Sequence, residues 1–352
     1  MTYKKYVFYF VFGIMLFAGG NLLIWKGFTE SLLSKKLGAD GDLARTGYVV
    51  DSRHPRETFT DLPVKHLEFK DYSSQSIDLI TIGDSFSHGG AGGRNRYYQD
   101  YIASINGITV LNMARFNFEE GALITVLKLL NSGYLDKIKP RYIIIQSVER
   151  VCTERFAGDI DFNQRMTAEA ISNYYKENTK FINELPYTGV INNANLKYLY
   201  YRFRYLFSDS PTRNIITKKL SQSFFNVPND GLLLFFRDDV NNLSKQNRKS
   251  IESLNNNINW LSRLLAAKGI HLYFLPIVDK YNLYSQFILN NPYPASSFFE
   301  ILRGMPKEYG FIDTKAILSE ALHRGEKDIY YADDTHWSWR ASELVFDKVR
   351  FK

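Results

Sequence analysis

Two short segments, far apart in the chain, carry residue types suited to acyl transfer. The first is Gly83-Asp84-Ser85, where the apolar run Leu79-Ile80-Thr81-Ile82 breaks; His88 and a glycine-rich stretch follow it. The second is Asp333-Asp334-Thr335-His336, leading into Trp337-Ser338-Trp339. A serine hydroxyl is a poor nucleophile until a base takes its proton, and a neutral imidazole suits that task near pH 7. The imidazole in turn needs a carboxylate that fixes its tautomer and stabilises its cation. Ser85 is therefore the candidate nucleophile and His336 the candidate base, with Asp333 or Asp334 as the orienting acid. His88, three residues beyond Ser85, is the rival base, but it has no adjoining carboxylate.

A purely structural reading of the same residues exists. Gly and Asp favour turns, Ser caps helices, and acids suit a helix N-terminus. That reading accounts for the aspartates and leaves the adjacent His336-Trp337 unexplained.

Chemistry of this kind needs a scaffold, and the hydrophobic pattern suggests one. Buried strands are expected at Ile77–Ile82, Ile108–Asn112, Tyr142–Ser147 and Ile270–Pro276, and helices at Tyr97–Ile105, Glu120–Asn131 and about 245–268. A last helix opens at Ser338. Strands alternating with helices predict an α/β fold, a three-layer α/β/α arrangement around a central parallel sheet. Ser85 then sits at the carboxyl end of the first strand, where such sheets collect ligands. The rhythm breaks over about 151–240, read as a mostly helical insertion above that edge. Within it, the stretch 196–207, dense in aromatic and basic residues, reads as an amphipathic helix packed into the core, or else as a substrate platform.

The 352 residues leave room for one large α/β domain, placed at 77–352, behind a linker and lead-in segment at 27–76. Aromatics make up 15% of the chain, enough to fill a core or line a sugar-binding groove. The single cysteine, Cys152, excludes an intramolecular disulfide and a cysteine-based zinc site. Residues 88–93 lack the Lys-Ser/Thr of a phosphate-binding loop, and no cofactor or metal is expected. The net charge of +7 is scattered, without a dense basic run, which argues against nucleic acid as a partner.

Lys4-Lys5 precede an uncharged apolar stretch, Tyr6–Trp25, and Lys26 follows it. Twenty helical residues cover roughly 30 Å, the thickness of a bilayer's hydrocarbon core. Residues 1–26 are thus expected to be an uncleaved membrane anchor, spanning through 6–25; a signal cleaved near Ala18-Gly19-Gly20 is the alternative. The paired lysines favour an inside amino terminus and an extracytoplasmic body, periplasmic or at the surface of a bacterial cell.

Gly83-Asp84-Ser85 after the first strand, with an Asp/His loop before the last helix, resembles the SGNH (GDSL) hydrolase superfamily, whose sheet is flavodoxin-like. Asp334-Thr335-His336-Trp337 is similar to the Asp-x-His-Trp segment of its alginate O-acetyltransferase-like branch. Gln146-Ser147-Val148-Glu149-Arg150, after the third strand, also resembles that branch. The resemblance implies Ser85 as nucleophile, with its N–H as one oxyanion donor, and His336 as base. It puts further donors near the ends of the next two strands, where Asn112 and then Gln146 or Ser147 stand. The chain departs from the pattern at Ala114, where a glycine is expected, and lacks the Gly-x-Asn-Asp block. Its Asp-x-His-Trp follows the serine, as in ordinary members, whose spacing selects Asp333; the alginate-like spacing selects Asp334. The implied activity is serine-dependent acetyl transfer to or from hydroxyls of an extracytoplasmic polysaccharide, beside a membrane-bound O-acyltransferase partner. A carbohydrate O-acetylesterase with the same triad is the alternative enzyme. A membrane-tethered glycan-binding or scaffold protein is the non-catalytic one.

Overall fold

A computed structural model of the chain describes residues 2–33, 41–56, 60–117, 119–177 and 188–351. Its strands, in chain order, are β1 (Leu67–Glu68), β2 (Leu79–Ile82), β3 (Val110–Met113), β4 (Tyr142–Val148), β5 (Ile215–Lys219), β6 (Leu232–Phe236), β7 (His271–Ile277) and β8 (Gly310–Phe311). Six of them form one parallel sheet in the order β1-β3-β2-β4-β7-β8. The fold is α/β, as the alternation of elements predicts.

Every residue of β2, β3 and β4 is buried, so both faces of the sheet centre are covered. That explains why these strands read as continuous apolar runs rather than alternating ones. Helices Tyr98–Asn106, Thr314–His323 and Trp339–Phe346 pack together as one group. Helices Ala122–Asn131, Cys152–Phe156, Arg248–Ala266 and Phe298–Arg303 pack as another. The chain leaves β2 for β3 on one side, then crosses to β4 on the other. Ile82 is in register with both Met113 and Ile145, so β2 and β3 end level while β4 runs on to Val148, and a crevice opens at the point where strand order reverses.

Two features differ from the sequence pattern. β1 and β8 are two-residue edge strands, too short for any periodicity to register. The insertion is also not purely helical, because β5 and β6 form an antiparallel hairpin. Alternation divides that hairpin between two cores. Ile216, Leu233 and Phe235 join the main core, while Ile215 and Leu234 face a small cluster with Leu32, Leu43 and Val49. Parts of the expected lead-in and insertion, residues 34–40, 57–59 and 178–187, lie outside the described residues.

At the amino terminus Tyr3–Ile24 is one helix, continued by a π-helical turn, Trp25–Thr29, and by Glu30–Leu33. Its side chains are mostly exposed, and it is long and apolar enough to cross a membrane. Asn193–Arg204 is helical as expected but does not bury its apolar residues in the core: Leu196, Leu199, Tyr200 and Phe203 are exposed.

Candidate active site

β2 delivers Ser85 to the crevice. Gly83, just past the strand, packs so closely on β4 that a Cβ there would lie 2.1 Å from Gln146 Oε1 and 2.2 Å from Ser87 Oγ. Only glycine lets the chain turn at that point. Asp84 then locks the turn. Its Oδ1 accepts from Gln146 Nε2 at 2.9 Å and Phe86 N at 3.2 Å, and its Oδ2 from Val148 N at 2.9 Å and Arg155 Nη1 at 2.7 Å. Burial opposes the charge on Asp84, but Arg155 and these hydrogen bonds outweigh it and hold the carboxyl at about 2. Ser85 itself is exposed between buried neighbours.

The second segment arrives from the far end of the chain. His336 Nε2 lies 2.7 Å from Ser85 Oγ, and His336 Nδ1 lies 2.6 Å from Asp334 Oδ1. The same Asp334 oxygen accepts the His336 N–H at 2.9 Å, which fixes ring and backbone together. Ser338, the N-cap of helix Trp339–Phe346, accepts from Arg340 N and sets the point where the loop ends. Burial works against a charged His336, yet the carboxylates of Asp334, Asp42 and Asp84 raise its pKa above the ordinary 6.5. Asp334 is also buried, but His336 and Arg56 hold it ionised, at about 2.

Asp333 turns elsewhere. It forms an ion pair with Arg56 at 2.8 Å and accepts from His54 N at 3.0 Å, and it is buried. His88 bonds through its N–H to the Ser85 carbonyl, while the Ser85 hydroxyl is met by His336.

The three expected oxyanion donors are buried framework. Asn112 Nδ2 donates to the Ser87 carbonyl at 2.9 Å and to Glu68 at 3.3 Å. Gln146 Nε2 is committed to Asp84, and its Oε1 accepts from Asp84 N and Ser87 Oγ, both at 2.9 Å. Ser147 Oγ donates to the Val148 carbonyl and accepts from Arg155. Each thus bonds to a framework partner, Asn112 to the Ser87 carbonyl, Gln146 to Asp84 and Ser147 to the Val148 carbonyl. The Ser85 N–H has no hydrogen-bond partner among the described residues and stays available for that purpose.

Of the supporting residues, Lys280, Asp42 and Arg56 carry no sequence signal of their own. Lys280, just after β7 and buried, donates to the carbonyls of Tyr331, Ala332 and Asp334 at 2.7, 3.0 and 3.0 Å. One ammonium thus gathers the loop that presents Asp334 and His336; burial lowers its pKa to about 8. Glu149 accepts from Asp279 N at 2.9 Å, and Arg150 bridges Asp279 and Asp239, so the end of β4 braces the turn carrying Lys280. The lead-in contributes Asp42, whose Oδ1 accepts from Thr335 N at 2.7 Å, and Arg56, which reaches Asp333 and Asp334. What reads as a linker in the sequence clamps the loop from outside.

Asp42, Asp334 and His336 offer ligand atoms within 4.8 Å of one another, a spacing a metal ion could use. Both imidazole nitrogens already bond to Ser85 and Asp334, so a metal there would displace the serine–histidine–aspartate relay. As it stands, the arrangement can deprotonate Ser85 and store the proton on an imidazole beside a buried carboxylate. No family model, curated protein or solved structure matches this chain.

Proposed function

We propose that this protein is an acyl-transfer enzyme acting through Ser85, an SGNH-type O-acetyltransferase or esterase of an extracytoplasmic glycan. The observation that carries the reading is the unbroken relay from Ser85 Oγ through His336 to Asp334, with the serine open to solvent. Ser85 Oγ attacks the acyl carbonyl while His336 Nε2 takes its proton, and Asp334 stabilises the resulting imidazolium. The Ser85 N–H stabilises the oxyanion. Collapse expels the alcohol, which takes the proton from His336, and leaves an acyl-enzyme. A sugar hydroxyl or water, deprotonated by His336, then attacks that ester and frees Ser85.

The SGNH reading rests on the Gly-Asp-Ser turn and the Asp-x-His-Trp loop, with a parallel sheet whose order suits it. The N-terminal apolar helix, preceded by Lys4-Lys5, supports an anchored body outside the cytoplasm and a membrane-bound acyltransferase as donor. Incubating the full chain in detergent with p-nitrophenyl acetate should give an acetylated Ser85 peptide by mass spectrometry. Ser85→Ala should abolish the adduct and reduce turnover by on the order of 10⁴-fold or more. Acetylation that persists in that variant removes Ser85 from the mechanism. Adding glycan oligosaccharides separates transfer from hydrolysis: acetylated sugar marks a transferase, free acetate alone an esterase.

A further inference from the structure

Helix Asn193–Arg204 turns Asn195 and Tyr198 inward and Leu196, Leu199, Tyr200 and Phe203 outward. These outward residues, with Phe207 one turn on, recur at spacings of three and four and form a single apolar stripe. Phe203 is 63% exposed and Phe207 77%. Lys197 and Arg204 edge the stripe on one side and Arg202 on the other. So much contiguous apolar surface calls for a cover.

The inward face says where that cover lies. Asn195 Nδ2 donates to Asn21 Oδ1 at 2.9 Å, its Oδ1 accepts from Thr29 Oγ1 at 2.5 Å, and Phe28 stacks on Tyr198 at 4.9 Å. Asn21 lies inside the apolar stretch Tyr6–Trp25 and is buried. Its amide nitrogen donates to the Phe17 carbonyl at 3.0 Å, the kind of internal partner a polar group at bilayer depth requires. A helix bonded to Asn21 therefore begins level with the edge of the hydrocarbon layer.

We propose that helix Asn193–Arg204 lies in the headgroup–acyl boundary of the membrane, with its Leu196-Leu199-Tyr200-Phe203 stripe in lipid and Lys197 and Arg204 among anionic headgroups. The proposal rests on reading the N-terminal helix as a membrane span. It fixes the body by two contacts instead of a single tether. Leu32, Leu43, Ile215 and Leu234 form one small core just beyond the span, and the segment carrying Leu43 is the one that clamps the His336 loop. Ser85 is then held close above the headgroups, where a membrane-bound acyl donor would present its group.

The test places single cysteines in the full chain, labels them with bimane, and reconstitutes the protein alone in phosphatidylethanolamine–phosphatidylglycerol vesicles. Sites are Leu199→Cys and Phe203→Cys on the stripe, Phe12→Cys in the span, and Lys268→Cys at the amino edge of the sheet. Cys152 is buried and stays in place. The stripe labels should be quenched by lipid carrying a nitroxide near the headgroup and lose quenching by aqueous iodide. Phe12→Cys should respond to a nitroxide deep in the acyl chain, and Lys268→Cys to iodide alone. Stripe labels that follow Lys268→Cys overturn the proposal. Stripe labels shielded from both lipid and water mean that a second copy covers the face, which also overturns it. Failure of the lipid quenchers at Phe12→Cys rejects the span, and the proposal with it.

Discussion

Asp333 and Asp334, adjacent in the chain, share Arg56 at 2.8 and 3.2 Å, but only Asp334 reaches His336 Nδ1, at 2.6 Å. Only one of them can hold the imidazole in the tautomer that accepts the Ser85 proton. Asp334→Asn should leave the fold intact and reduce kcat by roughly 10⁴-fold, because an amide favours the wrong tautomer. Asp333→Asn should retain most of the activity but cost about 3 kcal/mol of stability, since Arg56 is left buried with one fewer partner. Chemical denaturation beside ester-hydrolysis kinetics separates the two. A kinetic collapse at Asp333 with little change at Asp334 would show that the relay runs through the other acid.

Gly90 answers for part of the glycine-rich stretch after Ser85. A Cβ at that position would lie 2.5 Å from His336 Nε2 and 2.9 Å from the Ser85 carbonyl. Gly90→Ala must push the imidazole or the serine turn aside. A displacement near 1 Å at a reacting pair costs about 10²-fold in rate, so kcat should fall by that order while the melting temperature changes little. Unchanged kcat would mean the loop yields without moving His336.

Lys280 has a different role, because it touches neither Ser85 nor the imidazole. Lys280→Met removes three charge-assisted hydrogen bonds to the loop carbonyls and leaves those oxygens buried. Such bonds contribute about 1.5–3 kcal/mol each before repacking, so the loop should loosen and stability should drop by several kcal/mol. Hydrogen exchange should rise over 331–336 ahead of the sheet strands, and kcat should fall together with it. A variant with native exchange and reduced kcat would instead give Lys280 a direct part in the reaction.

What the sequence makes legible follows from the range of the interactions involved. β2, β3, β4 and β7 lie within two residues of where apolar runs place them, because both faces of those strands are buried. Ser85, His336 and the two acids stand out because reactive groups cluster within four-residue segments. Asn112, Gln146 and Ser147 stand near the right strand ends, yet whether an amide faces the crevice or the turn depends on partners tens of residues away. Lys280, Arg56 and Asp42 are invisible for the same reason: their meaning lies wholly in contacts with loop 331–336. The Asn193–Arg204 stripe has the pattern of a core helix, and only tertiary placement shows its apolar side facing out.

Asp42 provides a pH test of the relay. Burial and the neighbouring Asp334 push its carboxyl up to about 7, and its negative charge is one of those that raise the pKa of His336. His336 must be neutral to take the Ser85 proton, so kcat/KM should fall tenfold per pH unit below the His336 pKa, with a midpoint above 6.5. Asp42→Asn deletes that negative charge, while its amide oxygen still accepts from Thr335 N. The cation on His336 then loses a stabilising neighbour, its pKa falls, and the acid limb of the kcat/KM profile should move to lower pH. The plateau at high pH, where His336 is neutral in both proteins, should be nearly unchanged. A limb that moves to higher pH would mean that the titrating group behind it is not His336.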